Sequence, residues 1–304
     1  MIYDILVVGG GPAGLTAAIY GRRSGRSVLI LEKEGFGGQI AFSPRVENYP
    51  GVGSISGSAL SEQMLSQAMD QGAETDVGCV TALTFREGVW TAETDFGDRY
   101  EARSVILAVG AGPRMLGLPG ETELVGSGVS YCVVCDGDFF AGRDVAVAGG
   151  GDSALQEALL LSDICGSVTV IHRRREFRGE KVLLDRLRAK NNVTFLTPYT
   201  IEALHAENGM LSALTLRCAE DGTARELNTA ALFVCYGHIP ATESFTGLLR
   251  LEDGYVLADE DGAVGQPGLF VAGDCRKKSV RQLTTAVGDG AAAAMAAVRY
   301  LETL

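Results

Sequence analysis

The sequence predicts an α/β chain of two Rossmann-like, doubly wound units, one inserted into the other. Three observations carry that expectation. An apolar strand at residues 4–8 leads into GGGPAG at 9–14, a helix over 15–23 and a second strand over 28–31. The same grammar returns as a strand over 145–148, a glycine turn at 149–151, a helix over 153–161 and a strand over 168–171. Two apolar strand-turn segments, residues 105–110 and 269–274, flank this second unit and belong to neither run. The first unit is therefore expected to span residues 1–113 and 243–304, with residues 114–242 inserted. An alanine-rich helix over 291–304 should close it.

Composition agrees with a globular chain of this size. Its 304 residues are 46% hydrophobic, which is ample for packed cores. Forty glycines against eight prolines suit tight backbone approaches to phosphates and between packed elements. A net charge of −12 argues against nucleic acid and anionic membranes as partners, and the one basic patch is at residues 173–178. No charged leader precedes an apolar run and no run reaches membrane-spanning length. With seven cysteines and no secretion signal, a disulfide framework is not expected, and the chain is assigned to the cytoplasm.

Gly9, Gly11 and Gly14 form GxGxxG between a strand and a helix, where glycines allow a tight turn and close approach of a pyrophosphate. Pro12 and Ala13 complete that turn. Glu32 stands 23 residues after Gly9, placed to accept hydrogen bonds from ribose hydroxyls. That acid suits an adenosine without a 2′-phosphate, so the first site is assigned to FAD. In the second unit Gly149, Gly151 and Ala154 repeat the turn around Asp152 and Ser153, but His172 occupies the strand end. Arg173, Arg174 and Arg178 follow, and guanidinium groups pair with a 2′-phosphate that an acid would repel. The second site is assigned to NADPH. The competing view of residues 172–178 is a solvated charged turn, which is the view taken of residues 185–190 as an exposed helix face.

Cys132 and Cys135 make a CxxC just ahead of the second unit, with no second CxxC or nearby histidine to complete a zinc site. No metal is expected. At a helix start such a pair forms a small, reducible ring with a lowered thiolate pKa. Cys79, Cys165, Cys218 and Cys235 are read as small core residues, while Cys275 beside Asp274 is left open. His205, His238 and Trp90 are given structural roles.

Taken in order, GGGPAG at 9–14, GGQ at 37–39, ENYPG at 47–51, CVVCDG at 132–137, GGGDSA at 149–154, HRRREFR at 172–178 and residues 272–291 resemble the low-molecular-weight, bacterial-type thioredoxin reductases. The resemblance covers nearly the whole chain. It implies an NADPH domain inserted into an FAD domain, with electrons passing from NADPH to FAD to the Cys132–Cys135 disulfide and on to a thioredoxin-like CxxC protein. It further implies FAD contacts at Glu32, Lys33, Gly37, Gly38, Gln39, Asn48, Gly110, Gly273, Asp274, Arg281, Gln282 and Leu283. Asp136 becomes the acid that protonates a departing thiolate, and the protein a homodimer. Which cysteine faces the flavin stays open.

Three departures from the family pattern stand out. Val133-Val134 replaces the usual alanine-threonine, Val109 interrupts the usual ATG turn, and Arg175 replaces an acid after HRR, a change expected to strengthen the anion site. A dithiol oxidase or NADPH oxidase of the same fold shares every motif. A ferredoxin-driven reductase lacks the nicotinamide signature seen here, and a flavin-binding redox sensor would show no turnover. Because the cysteine pair and the NADPH turn belong to one unit and the flavin to the other, that unit is expected to rotate about connections near 110–117 and 237–244.

Overall fold

The computed structural model describes residues 1–43 and 45–304. The chain opens with β1 (Ile2–Val8), α1 (Pro12–Arg23), β2 (Val28–Glu32), α2 (Gly57–Asp70) and β3 (Glu74–Val77). β4 (Val80–Arg86), β5 (Val89–Thr94) and β6 (Arg99–Leu107) follow, and β7 (Ala111–Pro113) carries the chain out. Next come β8 (Val129–Ser130), α3 (Val133–Asp136), β9 (Asp144–Ala148), α4 (Asp152–Ile164), β10 (Ser167–Ile171), α5 (Lys181–Arg188) and β11 (Val193–Leu196). β12 (Tyr199–Glu207), β13 (Met210–Cys218), β14 (Ala224–Asn228) and β15 (Ala231–Val234) complete this stretch, and β16 (His238–Pro240) pairs with β7 on the way back. A short hairpin of β17 (Leu251–Glu252) and β18 (Tyr255–Val256), then β19 (Leu269–Val271) and α6 (Leu283–Leu301), end the chain. Contacts divide it into two units, Met1–Gly112 with Ile239–Leu304, and Pro113–His238.

In the first unit β3, β2, β1 and β6 run parallel, and β5 and β4 extend the sheet antiparallel. β6 is long enough to pair twice: Ala102 faces Trp90 of β5, while Val105 to Leu107 pair with β19. Residues 5–8 of β1 read as an unbroken apolar run because both faces of the strand are covered there. Ile5 and Val7 join the core under α1, α2 and α6, whereas Leu6 and Val8 join the opposite core with Leu83, Trp90 and Leu269. α6 can lie close against α1 because its facing residues are small. A Cβ on Gly290 would strike the carbonyl oxygen of Ala13.

The second unit holds a parallel sheet in the order β11-β10-β9-β15-β8 and a separate antiparallel sheet β12-β13-β14. Alternation in β9 again divides two cores: Val145 and Val147 pack with α4, and Ala146 and Ala148 pack with Leu214 and Leu216 of β13.

Element bounds differ from the sequence expectation in three places. α1 starts at Pro12 inside the glycine motif, since proline's fixed φ and missing N–H suit a first helical turn. α4 extends over Asp152–Ile164 rather than 153–161. α6 begins at Leu283, eight residues before the alanine-rich run and ending at Leu301, because Gln282 and Thr285 form a reciprocal capping box. Over residues 185–190 the charged side chains Asp185, Arg186 and Arg188 are exposed as expected, while Leu187 of α5 turns inward and is fully buried.

Candidate active site

The first glycine turn sits at the C-terminal end of β1. Gly9 adopts φ +109°, and a Cβ there would meet the Ala108 carbonyl oxygen. A Cβ on Gly14 would meet the carbonyl oxygen of Gly9, so α1 can approach its own strand only without one. Gly11 caps α1 with no side-chain bond, leaving the leading N–H groups oriented for an anion. Glu32 is buried, and its Oε2 accepts from the N–H of Gly10 at 2.6 Å. That bond fixes the carboxylate at the mouth of the turn.

Residues distant in sequence meet this turn or one another. Gly37 donates its N–H to Gly10 O at 2.8 Å, and the backbone of Gly38 passes against Gly11. Gly273 lies against Ala13. Asn48 Nδ2 donates to Gln282 Oε1 at 3.2 Å, at the head of α6 where Leu283 packs on the core. Gln39 donates to the carbonyl of Ala111. Gly110, at φ +69°, accepts from Ala241 N at 3.1 Å. The Arg281 guanidinium lies 3.9 Å over the Tyr255 ring and donates to Asp274 O at 3.2 Å. Lys33 stays outside this group, exposed and paired with Glu34 at 3.3 Å.

In the second turn Gly149 donates to Ile171 O at 3.0 Å, the counterpart of the Gly9 bond to Leu31 O at 2.8 Å. Gly151 caps α4, again without a side-chain bond, and Ala154 is fully buried beneath the turn. Ser153, the second residue of α4, is exposed. Arg178 N and Gly179 N both donate to Gly150 O, at 2.8 and 3.1 Å, which ties the arginine segment to the turn. Asp152 Oδ1 accepts from Glu180 N at 2.6 Å and holds the far end of that segment. His172 is buried, stacked on Phe177 at 5.1 Å between centroids, and its ring fills the space a Gly150 side chain would need. Burial first, and then Arg178, Arg173 and Arg174, hold its pKa below the usual histidine value. Arg173, Arg174 and Arg178 are exposed. Arg175, also exposed, makes a two-pronged ion pair with Glu220.

Cys132 and Cys135 form a disulfide with Cα atoms 5.3 Å apart. Cys132 is the N-cap of α3, which is a single turn, so helix-dipole stabilisation of a thiolate is small here. Val133 packs into the core while Val134 is 62% exposed between the two cysteines. Asp136 ends the turn with its Oδ1 shielded from solvent and without a hydrogen-bond partner. Burial pushes its carboxyl above the usual range, opposed by the Ser130 hydroxyl, which donates to Oδ2 at 2.6 Å.

The other cysteines hold no partner sulfur. Cys165, Cys218 and Cys275 are buried, and burial pushes the Cys275 thiol up to about 12, which makes it inert at neutral pH. Cys79 and Cys235 are only partly buried, against the expectation of core positions. Cys235 donates to Glu157 Oε2 at 2.6 Å, and burial with that carboxylate holds its thiol protonated. His205 Nε2 pairs with Thr215 Oγ1 at 2.7 Å, and Trp90 is buried with its Nε1 donating to Pro267 O. No described group of three or more His, Cys, Asp or Glu residues is placed to hold a metal ion.

Sequence reasoning missed two residues. Ser130 carries no motif, and only its place two residues before Cys132 hints at it. Glu121 is 1% exposed and accepts from the N–H groups of Leu116 (2.8 Å), Gly117 (2.7 Å) and Leu118 (3.3 Å) and from the Tyr131 hydroxyl at 2.7 Å. It thus fastens the segment after β7 to the residue beside Cys132.

The first turn fits FAD on its own geometry, through a buried carboxylate at the strand end and an uncapped helix start. Five described side-chain polar atoms are buried without hydrogen-bond partners, and three belong to residues of these sites: Asp136 Oδ1, His172 Nε2 and Asp274 Oδ1. Each such atom costs about 1–3 kcal/mol when left unsatisfied. Asp274 Oδ1 also lies 3.3 Å from Lys278 Nζ, which balances its charge without hydrogen-bond geometry.

Residues 3–290 match the family described as pyridine nucleotide-disulphide oxidoreductase. A thioredoxin reductase of Bacillus subtilis is 41% identical over 305 residues, covering all of this chain and 96% of that protein. A bifunctional thioredoxin reductase/thioredoxin of Mycobacterium leprae is 41% identical over 99% of this chain and 66% of its own length. The crystal structure of thioredoxin reductase from Streptococcus pyogenes superposes with a TM-score of 0.95 at 38% identity, covering 100% of this chain and 99% of that one. The paired glycine turns, the CxxC disulfide and full-length similarity together place this chain in the pyridine nucleotide-disulphide oxidoreductase family, in its thioredoxin reductase branch.

Proposed function

We propose that the chain carries reducing equivalents from NADPH, held by the Pro113–His238 unit, to the Cys132–Cys135 disulfide and then to a thioredoxin-like protein disulfide, with FAD held by the other unit. The observation that carries this is the Cys132–Cys135 disulfide opening a turn that ends in the shielded carboxyl of Asp136, in the same unit as the arginine-flanked glycine turn. FAD, when bound, supplies the passage from a two-electron hydride donor to a dithiol.

The chain's own residues do the rest. Arg173, Arg174 and Arg178 bind the 2′-phosphate, and Glu32 orients the FAD ribose. Two electrons break the sulfur–sulfur bond, and Asp136 gives its proton to one of the two thiolates formed. In the second half-reaction one thiolate attacks a partner disulfide and makes a mixed disulfide, and the second thiol displaces the partner as a dithiol while Cys132–Cys135 re-forms. Val134, exposed and apolar between the sulfurs, suits an apolar rim around a partner's own disulfide. The fused thioredoxin in the Mycobacterium leprae relative supports that class of partner.

Because the cysteine pair and the FAD turn belong to different units, the inserted unit turns about the β7 and β16 crossings between a flavin-facing and a partner-facing state. No described helix is long and apolar enough to cross a membrane. On the likeness to bacterial thioredoxin reductases we further propose a cytoplasmic location and a homodimer. The test is NADPH-dependent reduction of a small CxxC protein, with oxygen uptake followed in parallel. Loss of protein-disulfide reduction in Cys132→Ser and Cys135→Ser is expected. Oxygen uptake unchanged by those variants and by added CxxC protein would instead identify an oxidase.

A further inference from the structure

We infer that Ser130 is the positioning residue for the acid of the dithiol step: its hydroxyl occupies one oxygen of Asp136 and leaves the other as the single site from which the proton is delivered. The inference rests on Asp136 as that acid and extends it to a residue outside the CxxCD motif. Ser130, at the end of β8, is 3% exposed and cannot be a solvated surface serine. Its Oγ donates to Asp136 Oδ2 at 2.6 Å and accepts from the Cys132 N–H at 3.1 Å. One hydroxyl therefore links the backbone of the first cysteine to the carboxyl that follows the second. A carboxyl has two equivalent oxygens and rotates freely unless one is pinned. With Oδ2 pinned, Oδ1 is the atom left shielded and unpartnered.

The chemistry follows from the sign of each interaction. Proton delivery requires Asp136 protonated, and shielding from water favours that form, whereas a donated hydroxyl favours the carboxylate. Ser130 therefore holds the acid short of permanent protonation, so that it can release its proton and regain one in each cycle. The bond balance is simple: the S–S bond accepts two electrons, Asp136 Oδ1 passes one proton to a thiolate, and the carboxylate is stabilised by Ser130 until it is reprotonated.

Charged groups on the neighbouring elements answer to other partners. The 3-10 turn Gly137–Phe140 offers Asp138, which acts on the Cys165 thiol. On α4, Glu157 accepts from Cys235, Asp152 from Glu180 N, and Asp163 pairs with Lys190. β8 carries no titratable group, and the cysteines themselves titrate only when reduced. Burial and the Ser130 hydroxyl are the influences that set the Asp136 carboxyl.

The test compares flavin-loaded wild type with Ser130→Ala, Ser130→Thr and Asp136→Asn. Two readouts are taken across pH: turnover with a CxxC protein, and titration of the Asp136 carboxyl carbon by NMR. For Ser130→Ala the alkaline limb of turnover and the carboxyl titration should both move to higher pH, with kcat at neutral pH falling about tenfold. Ser130→Thr keeps the hydroxyl and should restore both. Asp136→Asn should abolish the limb and lower kcat by about 10²-fold. Should Asp136→Asn keep the wild-type limb, Asp136 is not the acid and the underlying assignment fails. A Ser130→Ala profile lowered uniformly, with no shift of limb or titration while Asp136→Asn removes the limb, would overturn the role of Ser130 alone. If Ser130→Ala does not fold, Ser130→Cys, a weaker donor of similar size, must show the same upward displacement, and its absence there counts against the inference.

Discussion

The two glycine turns share their backbone roles, yet they are finished by opposite chemistry. Gly11 and Gly151 cap their helices with nearly the same extended geometry, φ −78° and ψ −177° against φ −99° and ψ −179°. Each turn is tied by an N–H from its first glycine to a carbonyl near the end of the neighbouring strand, Leu31 or Ile171. At the strand end, however, the first turn presents a carboxylate bonded to Gly10 N, and the second presents a neutral, buried imidazole with exposed arginines beyond it. The uncapped N–H groups suit a pyrophosphate in both cases, since N–H groups do not distinguish nucleotides. On the proposed assignment, discrimination falls to one side chain and its followers, which would accept hydrogen bonds from ribose hydroxyls in one turn and neutralise a phosphate in the other.

The greatest effect should come from the third small position, where the turns also differ. Gly14→Ala drives a Cβ into the Gly9 carbonyl, whereas the second turn already houses Ala154 in the same place. Gly14→Ala should cost about 2–4 kcal/mol and release the flavin, while Ala154→Gly should cost no more than about 1 kcal/mol. Thermal melts and bound-flavin absorbance after gel filtration measure both. Comparable losses in the two variants would show that the turns are not built as described.

Much of this contrast was legible before any coordinates. Glycine spacing, the strand ends and Glu32 against His172 follow from local rules with short reach, and these were enough to read two doubly wound units. The Asn48 bond to Gln282 spans 234 residues, and nothing in either segment announces it. Ser130 and Glu121 were invisible for a related reason, because burial turns an ordinary side chain into a structural or chemical device only after folding. The ion pair of Arg175 could not be read from the sequence, since its partner, Glu220, comes from the hairpin connection after β13. The start of α6 was missed because alanine content marks propensity, while the reciprocal cap of Gln282 and Thr285 marks the beginning.

A moderate effect is expected at the first strand end. Glu32→Ala leaves the Gly10 N–H without its buried acceptor and should cost about 1–3 kcal/mol, together with weaker flavin retention. NADPH affinity, measured separately by isothermal titration, should hardly change. A loss confined to NADPH would invert the assignment of the two turns.

The smallest effect concerns protons at the second strand end. Burial and three arginines lower the His172 pKa, so the unfolded chain binds a proton that the folded chain refuses. Stability from the neutral, buried ring is present above the unfolded value of about 6.5 and is lost as pH falls below it. His172→Phe keeps the stack on Phe177 and should flatten this acid-side decline, seen as convergence of melting temperatures with wild type at neutral pH and divergence near pH 5. Parallel curves would mean that the ring is protonated in the folded chain.

Cofactor preference in Arg173→Gln and Arg174→Gln, alone and together, tests most directly whether the strand ends choose the nucleotide. Each substitution removes a charge-assisted contact of about 1.5–3 kcal/mol, so kcat/KM for NADPH should fall roughly ten- to a hundredfold per arginine. The value for NADH should stay within about twofold, and flavin content should be unchanged. Equal losses with NADPH and NADH, or loss of bound flavin, would contradict the division of the two turns between FAD and NADPH.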